Sequence, residues 1–205
     1  MKRFIKNIFS KFFEPKTEII GKDNILQYGN KPYFRKVRIK IYGNNNSIKI
    51  HDNTYLHNVK LQIGFENSPV DNCCITIGNK TSINGSSLLL GEDNSEIKIG
   101  KECMFSFDVE MSCSDTHAIL DEQGNLINRG ESIIVGDHVW VCKNATIMKN
   151  TKIPNGCIVA QGSIVTKKFE KENSVIAGNP AKLVKENIRW DRVRPNKLLR
   201  EKNNE

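Results

Sequence analysis

Apolar residues recur every six positions over the second half of the chain: Val135, Val141, Ile147, Ile153, Val159 and Val165. Four residues after each stands Val139, Ala145, Thr151, Cys157, Ser163 or Phe169, small in most cases. The same step runs from Ile99 through Phe105 and Met111, and from Ile77 through Ile83 and Leu89. A helix would set apolar residues at alternating steps of three and four, and a half-buried strand would alternate every second residue. Neither period fits. A six-residue unit accommodates one short strand and a tight corner. Three units close a triangular coil of about 18 residues, and stacked coils bury the apolar stripe inside a prism. Asn, Gly and Asp between the apolar positions supply the corner conformations.

A looser copy of the pattern runs upstream, in "NNSIKIHDNTYL" (45–56), "DNCCITIGNKTSI" (71–83), "DNSEIKIGKECMF" (93–105) and "ESIIVGDHVWV" (131–141). The chain therefore divides into an N-terminal segment (1–24), a repeat domain (25–182) and a C-terminal helix and tail (183–205). Phe4, Ile5, Ile8, Phe9, Phe12 and Phe13 fall on one face of an amphipathic helix over 1–20, with lysines around it. Residues 118–132, "AILDEQGNLINRGES", are polar and glycine-containing and read as a loop thrown out between coils. A short helix is expected near 183–192.

Composition adds limits. The 205 residues, 38% hydrophobic and 26% charged, suit one soluble domain with appendages. No run of 18 apolar residues offers a membrane span, and Lys6 and Lys11 interrupt any signal-peptide core, so a cytoplasmic protein is expected. The six cysteines (73, 74, 103, 113, 142 and 157) form no CxxC pair and read as reduced. Cys103 and Cys157 fall at small positions of the six-residue units, where packing accounts for them. The net charge of +8 comes from lysines and arginines scattered over both halves, with no aromatic-and-basic module of the kind that binds nucleic acid. Such basicity suits an anionic small ligand or an acidic membrane surface.

Chemistry narrows to a few residues. Of the four histidines, His51 and His57 read as surface or turn residues, and His138, in "GDHVW", as a solvated corner. His117 is the next six-step after Met111, where the repeat stops; the period alone makes it a buried histidine closing a coil.

The repeat, strongest over 71–186, resembles that of the hexapeptide-repeat acyltransferases, and most of all the sugar O-acetyltransferases that modify capsular polysaccharide, lipopolysaccharide or small glycosides. The resemblance implies an all-β, left-handed parallel β-helix. In that family the segment matched by "SCSDTHAILD", beside an extruded loop, carries the general base. This makes His117 the base, with Asp115 or Ser112 to orient it. Trp140 matches a tryptophan near the reacting centre that shapes the acceptor or thioester site. Acetyl-CoA is the implied acetyl donor. "QGSIVTKK" resembles the A-G-S-x-V-T-K segment, placing Gln161, Thr166 and Lys167 at the coenzyme. "AGNPAKLVKE" resembles the family's closing motif and places Lys182 and Lys185 at its phosphate end, with Lys143 a further donor-side match. No metal is implied. The family forms homotrimers with donor sites between subunits, and the acceptor is a saccharide.

Imidazole suits removal of a hydroxyl proton near neutral pH, a step worth typically 10²–10⁴-fold. Three other readings compete. N-acetylation of a nucleotide-linked amino sugar usually comes with an N-terminal α/β domain, for which 1–24 is too short. A zinc site needs three converging histidines, and their spacing shows no such set. A purely structural β-helix leaves the His117 segment, Trp140 and the C-terminal lysines unexplained. For the basic N-terminus two readings stand, a cap on the open coil end or a peripheral contact with an anionic inner membrane through residues 1–20.

Overall fold

The computed structural model describes residues 14–202. Among them, 21 short strands form sheets of seven, six and eight strands, one on each face of a triangular prism. The fold is the expected left-handed parallel β-helix. Successive strands pass to successive faces, so each pairs with the strand one coil away. Ser87–Leu90, for example, lies between Lys60–Ile63 and Glu110–Ser112.

The six-residue step now has a physical meaning, because it is one face of the prism. On the first face Ile39, Leu61, Leu88, Met111, Ile147 and Val165 stack in register, each 0–1% exposed. Ile50, Ile77, Ile99, Val135 and Ile153 do the same on the second face. Phe34, Leu56, Ile83, Phe105, Val141, Val159 and Ile176 stack likewise on the third, with only Phe34, in the first coil, as much as 7% exposed. Burial of one such side chain is worth about 1.5–3 kcal/mol, repeated along every column. Cys103 and Cys157 are fully buried at corner positions, as their place in the repeat predicts.

Corners are built from left-handed residues and from side chains that hydrogen-bond to the coil below. Lys31, Asn53, Lys80, Glu102, His138 and Asn173 carry positive φ along the edge between the second and third faces. There Asp52, Asn79, Asp137 and Asn155 each accept a backbone N–H from an adjacent coil at 2.6–3.1 Å. Asparagine and aspartate suit this role because their short side chains tolerate the left-handed region and mimic a backbone acceptor.

Both ends depart from expectation. The strand Lys16–Ile20 pairs in parallel with Arg38–Tyr42, so the coils begin ahead of residue 25 and no helix covers 16–20. The pairing of Ile19 with Ile41 overrides the helical pattern there. Phe4 to Phe13 lie outside the described residues. At the other end, the chain reverses at Asn179 and Pro180 and Ala181–Lys185 pairs antiparallel with Val175–Gly178, so 183–185 is strand. The helix comes later, at Pro195–Lys202, with the proline at its first position, where its missing N–H costs nothing.

Candidate active site

The loop expected near 118–132 leaves the prism between Glu110–Ser112 on the first face and Ser132–Val135 on the second. Its return is fixed by a close approach: a Cβ on Gly130 would lie 1.8 Å from the Cys113 carbonyl oxygen. The Gly130 N–H also donates to Glu92 at 2.8 Å. At the tip, Asp121 accepts the backbone N–H groups of Gln123 and Asn125 at 3.0 and 2.8 Å.

The neck of this loop holds His117. Ser112 Oγ–H donates to the Ser114 carbonyl at 2.7 Å, and the Thr116 N–H donates to Ser114 Oγ at 2.9 Å. Asn128 is the clasp. Its amide donates to the His117 carbonyl and to the Asp115 carboxylate, both at 2.9 Å, and its Oδ1 accepts the Ile119 N–H at 2.8 Å. Lys149, from the next coil, closes the arrangement by bonding to both Asp115 and the Asn128 carbonyl. The hydrogen bond from Lys149, and then that from Asn128, holds the Asp115 carboxyl below the usual carboxylate range.

His117 is exposed, not the inward residue its place in the period suggests, because the chain leaves the prism at buried Cys113. His117 borders a hollow of about 190 Å³ shared with Glu92, Ser114 and Asn128. Among the described residues neither Asp115 nor Ser112 hydrogen-bonds the ring. Asp115 positions the segment that carries the ring, through Asn128. Cys113 stands apart from this chemistry: it is fully buried, and burial pushes its thiol up to about 12.

Trp140 lies on the third face, opposite the edge that carries the His117 loop. Its indole N–H donates to Ser106 Oγ at 3.4 Å. Lys143 and Gln161 occupy the edge between the third and first faces one coil apart, with Lys143 3.7 Å from Asp108. Exposed Thr166 and Lys167 follow the strand Ile164–Val165, and the Lys167 ammonium sits 5.4 Å from the centre of the Phe169 ring. Lys182 and Lys185 project from the antiparallel strand at the C-terminal end. Within one chain, then, His117 and Trp140 stay on different sides of the prism.

Two features escaped the sequence reading. His138 is a corner residue as expected, with φ of 53°, but it is not simply solvated. The Trp190 ring stacks on it at 4.1 Å and 9°, and Trp190 Nε1–H donates to the His138 carbonyl at 2.9 Å. Trp190 also packs 5.9 Å from Trp140. Arg192 then reaches Ser82 Oγ at 2.9 Å and the Cys103 carbonyl at 2.6 Å. A tryptophan inside the charged stretch "ENIRWDRVR" was the available signal, since so large an indole usually finds a surface to cover.

The polysialic acid O-acetyltransferase of Neisseria meningitidis is 36% identical over 175 residues, which cover 85% of this chain and 78% of that protein. The chain belongs to the hexapeptide-repeat O-acetyltransferases. A second relative in the family, the polysialic acid O-acetyltransferase of Escherichia coli O1:K1, is 34% identical over 126 residues, 61% of this chain and 40% of its own length. Among solved structures, the polySia-specific acetyltransferase NeuO superposes with a TM-score of 0.72 at 28% identity, covering 91% of this chain and 93% of its own. The polysialic acid O-acetyltransferase OatWY gives 0.63 at 29%, covering 88% and 92%. No family model matches the chain. The protein is thus an acetyltransferase built on a β-helix.

Proposed function

We propose that the protein transfers the acetyl group of acetyl-CoA to a hydroxyl of a sialic-acid-containing capsular polysaccharide, with His117 as general base. The observation that carries this reading is exposed His117, whose backbone segment is fixed at the neck of an extruded loop by Asn128, Asp115 and Lys149. The acceptor class follows from the relatives, both named for polysialic acid. The sugar hydroxyl oxygen attacks the thioester carbonyl carbon while the imidazole takes its proton. The tetrahedral intermediate then expels the thiolate, which takes that proton back, and the acetyl ester and free coenzyme A remain. No covalent enzyme intermediate is needed.

Acetyl-CoA suits the cations of the C-terminal coils: Lys167, Lys182 and Lys185 are exposed and stand where an anionic phosphate end would find them. Lys143 and Gln161, on the edge between the third and first faces, and Thr166, beyond the first-face strand Ile164–Val165, belong to the same reading, as does a role for Trp140 at the reacting centre. Because His117 and Trp140 lie on different sides of one prism, a complete site calls for a second copy, and a homotrimer supplies three equivalent interfaces. The reading places this trimer in the cytoplasm; among the described residues no helix is long and apolar enough to cross a membrane.

The test is mass spectrometry of polysialic acid incubated with acetyl-CoA and either wild-type or His117→Ala protein. Acetylated product is expected from the wild type. The variant, unchanged in melting temperature because the side chain is exposed, should lose at least about a hundredfold in turnover. Turnover within a few-fold of wild type in the variant sinks the assignment of the base.

A further inference from the structure

The outward side chains of the third face form a register of their own. Tyr33, Tyr55, Ser82, Met104 and Trp140 succeed one another from coil to coil. Neighbouring strands are about 4.8 Å apart, so Ser82 lies two rungs, roughly 10 Å, from Trp140 on the side away from the C-terminal lysines. The Tyr33 and Tyr55 rings stack at 4.7 Å and 2°, each more than a third exposed. Arg35 and His57 form the adjacent outward pair.

Over this row the C-terminal tail turns back towards the N-terminal coils. The Ile188 N–H donates to Asn173 O at 2.9 Å, Trp190 stacks on His138, and Arg192 arrives at Ser82. The Arg192 guanidinium is held by three bonds: Nη1 to Ser82 Oγ at 2.9 Å, and Nη2 to the Cys103 and Glu102 carbonyls at 2.6 and 3.3 Å. All three acceptors are neutral. Among the described residues no carboxylate lies within ion-pairing distance of it, although seven other cation–carboxylate pairs form on the same molecule. Its Nε–H and one Nη1–H remain without a partner among the described residues. A guanidinium is therefore immobilised on the row that leads to Trp140, its charge uncompensated and its Nε–H and one Nη1–H still open.

We propose that Arg192 binds the carboxylate of a sugar residue of the acceptor and so makes the enzyme specific for acidic saccharides. A fixed guanidinium that keeps its charge and has N–H groups to spare takes a carboxylate oxygen by a charge-assisted hydrogen bond. The Tyr33–Tyr55 stack beside it offers apolar ring surface for the neighbouring sugar, and Arg35 adds positive charge at the same end of the face. The acceptor chain then runs along the third face from Trp140 towards Tyr33, while the donor occupies the coils on the other side of Trp140. This inference rests on the reading of the acceptor as an anionic polysaccharide.

The experiment compares initial rates on polysialic acid and on the same polymer with its carboxylates reduced to primary alcohols, using the full-length chain. Wild type is expected to prefer the carboxylated polymer through a lower KM. Arg192→Gln should raise KM for that polymer by about tenfold or more with little change in kcat, and leave the reduced polymer unaffected. Arg192→Lys should recover part of the preference. Ser82→Ala, which removes one latch bond but keeps the charge, should retain it. An Arg192→Gln effect equal on both polymers would mean that the residue merely ties down the tail, and would overturn the proposal. Wild-type activity on the carboxylated polymer with no selective effect of the variant overturns the subsite alone. Wild-type enzyme that acetylates neither polymer overturns the acceptor reading and the subsite with it.

Discussion

The Asp115 carboxylate faces the Lys149 ammonium of the next coil, and the His117 imidazole has no part in that pair. A carboxylate whose pKa is lowered in the folded state contributes stability that is complete above its unfolded value, about 3.9, and lost as pH falls through the folded value. Asp115 is such a group, lowered by Lys149 and Asn128. Asp115→Asn should therefore melt below wild type at pH 7 and pH 5. The gap should begin to narrow as the buffer is taken below about pH 4 and close only once the pH has passed below the lowered folded value, where the native wild-type residue is itself protonated. Melting curves at these pH values check it. A gap that persists undiminished at pH 2 would mean the ion pair is not its source.

Buried thiols give a second expectation. Burial raises Cys113 to about 12 and Cys103 to about 11, so neither is a thiolate at neutral pH. Cys113→Ala should keep kcat within about threefold of wild type, since no covalent acyl-cysteine forms. Acetyl-CoA mixed with enzyme in the absence of acceptor should leave no acetylated cysteine in the intact-mass spectrum. A burst of acetyl-enzyme would replace direct transfer with a two-step route.

The fold was readable because its information is local. Each apolar residue of the six-step series except Leu89, whose inward place Leu88 takes after a corner one residue shorter, specifies one face of the prism, and the Asn and Asp residues between them specify the corners, all within a few residues. The clasp was not readable in the same way. Lys149 meets Asp115 across 34 positions, and no pattern within either segment announces the other. The tail was harder still: Arg192 bonds Ser82 across 110 positions, and its charged sequence reads as solvated until the coils supply a surface. His117 shows the limit from the other side. The period counted correctly to residue 117, but the chain had already left the prism after Cys113, so the predicted inward position became an exposed one.

Trp140 and His117 on different sides of the prism make subunit mixing informative. If each site takes His117 from one copy and Trp140 from its neighbour, His117→Ala and Trp140→Ala chains should be nearly inactive alone yet active together. Unfolded in a 1:1 mixture and refolded, they should recover about a quarter of wild-type activity, the share of interfaces that receive both intact residues in a random trimer. Light scattering on the same sample should give a trimer. A mixture no more active than its components would place both residues in one subunit's site or exclude one of them from it.

The last expectation concerns the first coil. Ile19, Ile20 and Ile25 are 41%, 52% and 54% exposed, at an end of the prism where the strand Lys16–Ile20 has only one neighbour. Such an edge exposes apolar surface and open backbone groups, and both invite pairing with other chains. Phe4, Ile5, Ile8, Phe9, Phe12 and Phe13, one apolar face in a helical register, stand just ahead of it in sequence, outside the described residues. The exposed isoleucines favour a cap over a membrane contact. Deleting residues 2–13 should then lower the melting temperature and promote aggregation. Binding to vesicles containing anionic lipid should be weak in wild type and little changed by the deletion. Membrane docking demands the reverse. Lys2, Arg3, Lys6 and Lys11 would each contribute about 1 kcal/mol at such a surface, so the deletion would abolish vesicle binding and leave the melting temperature where it was. A truncated protein unchanged in both measurements would refute cap and anchor alike.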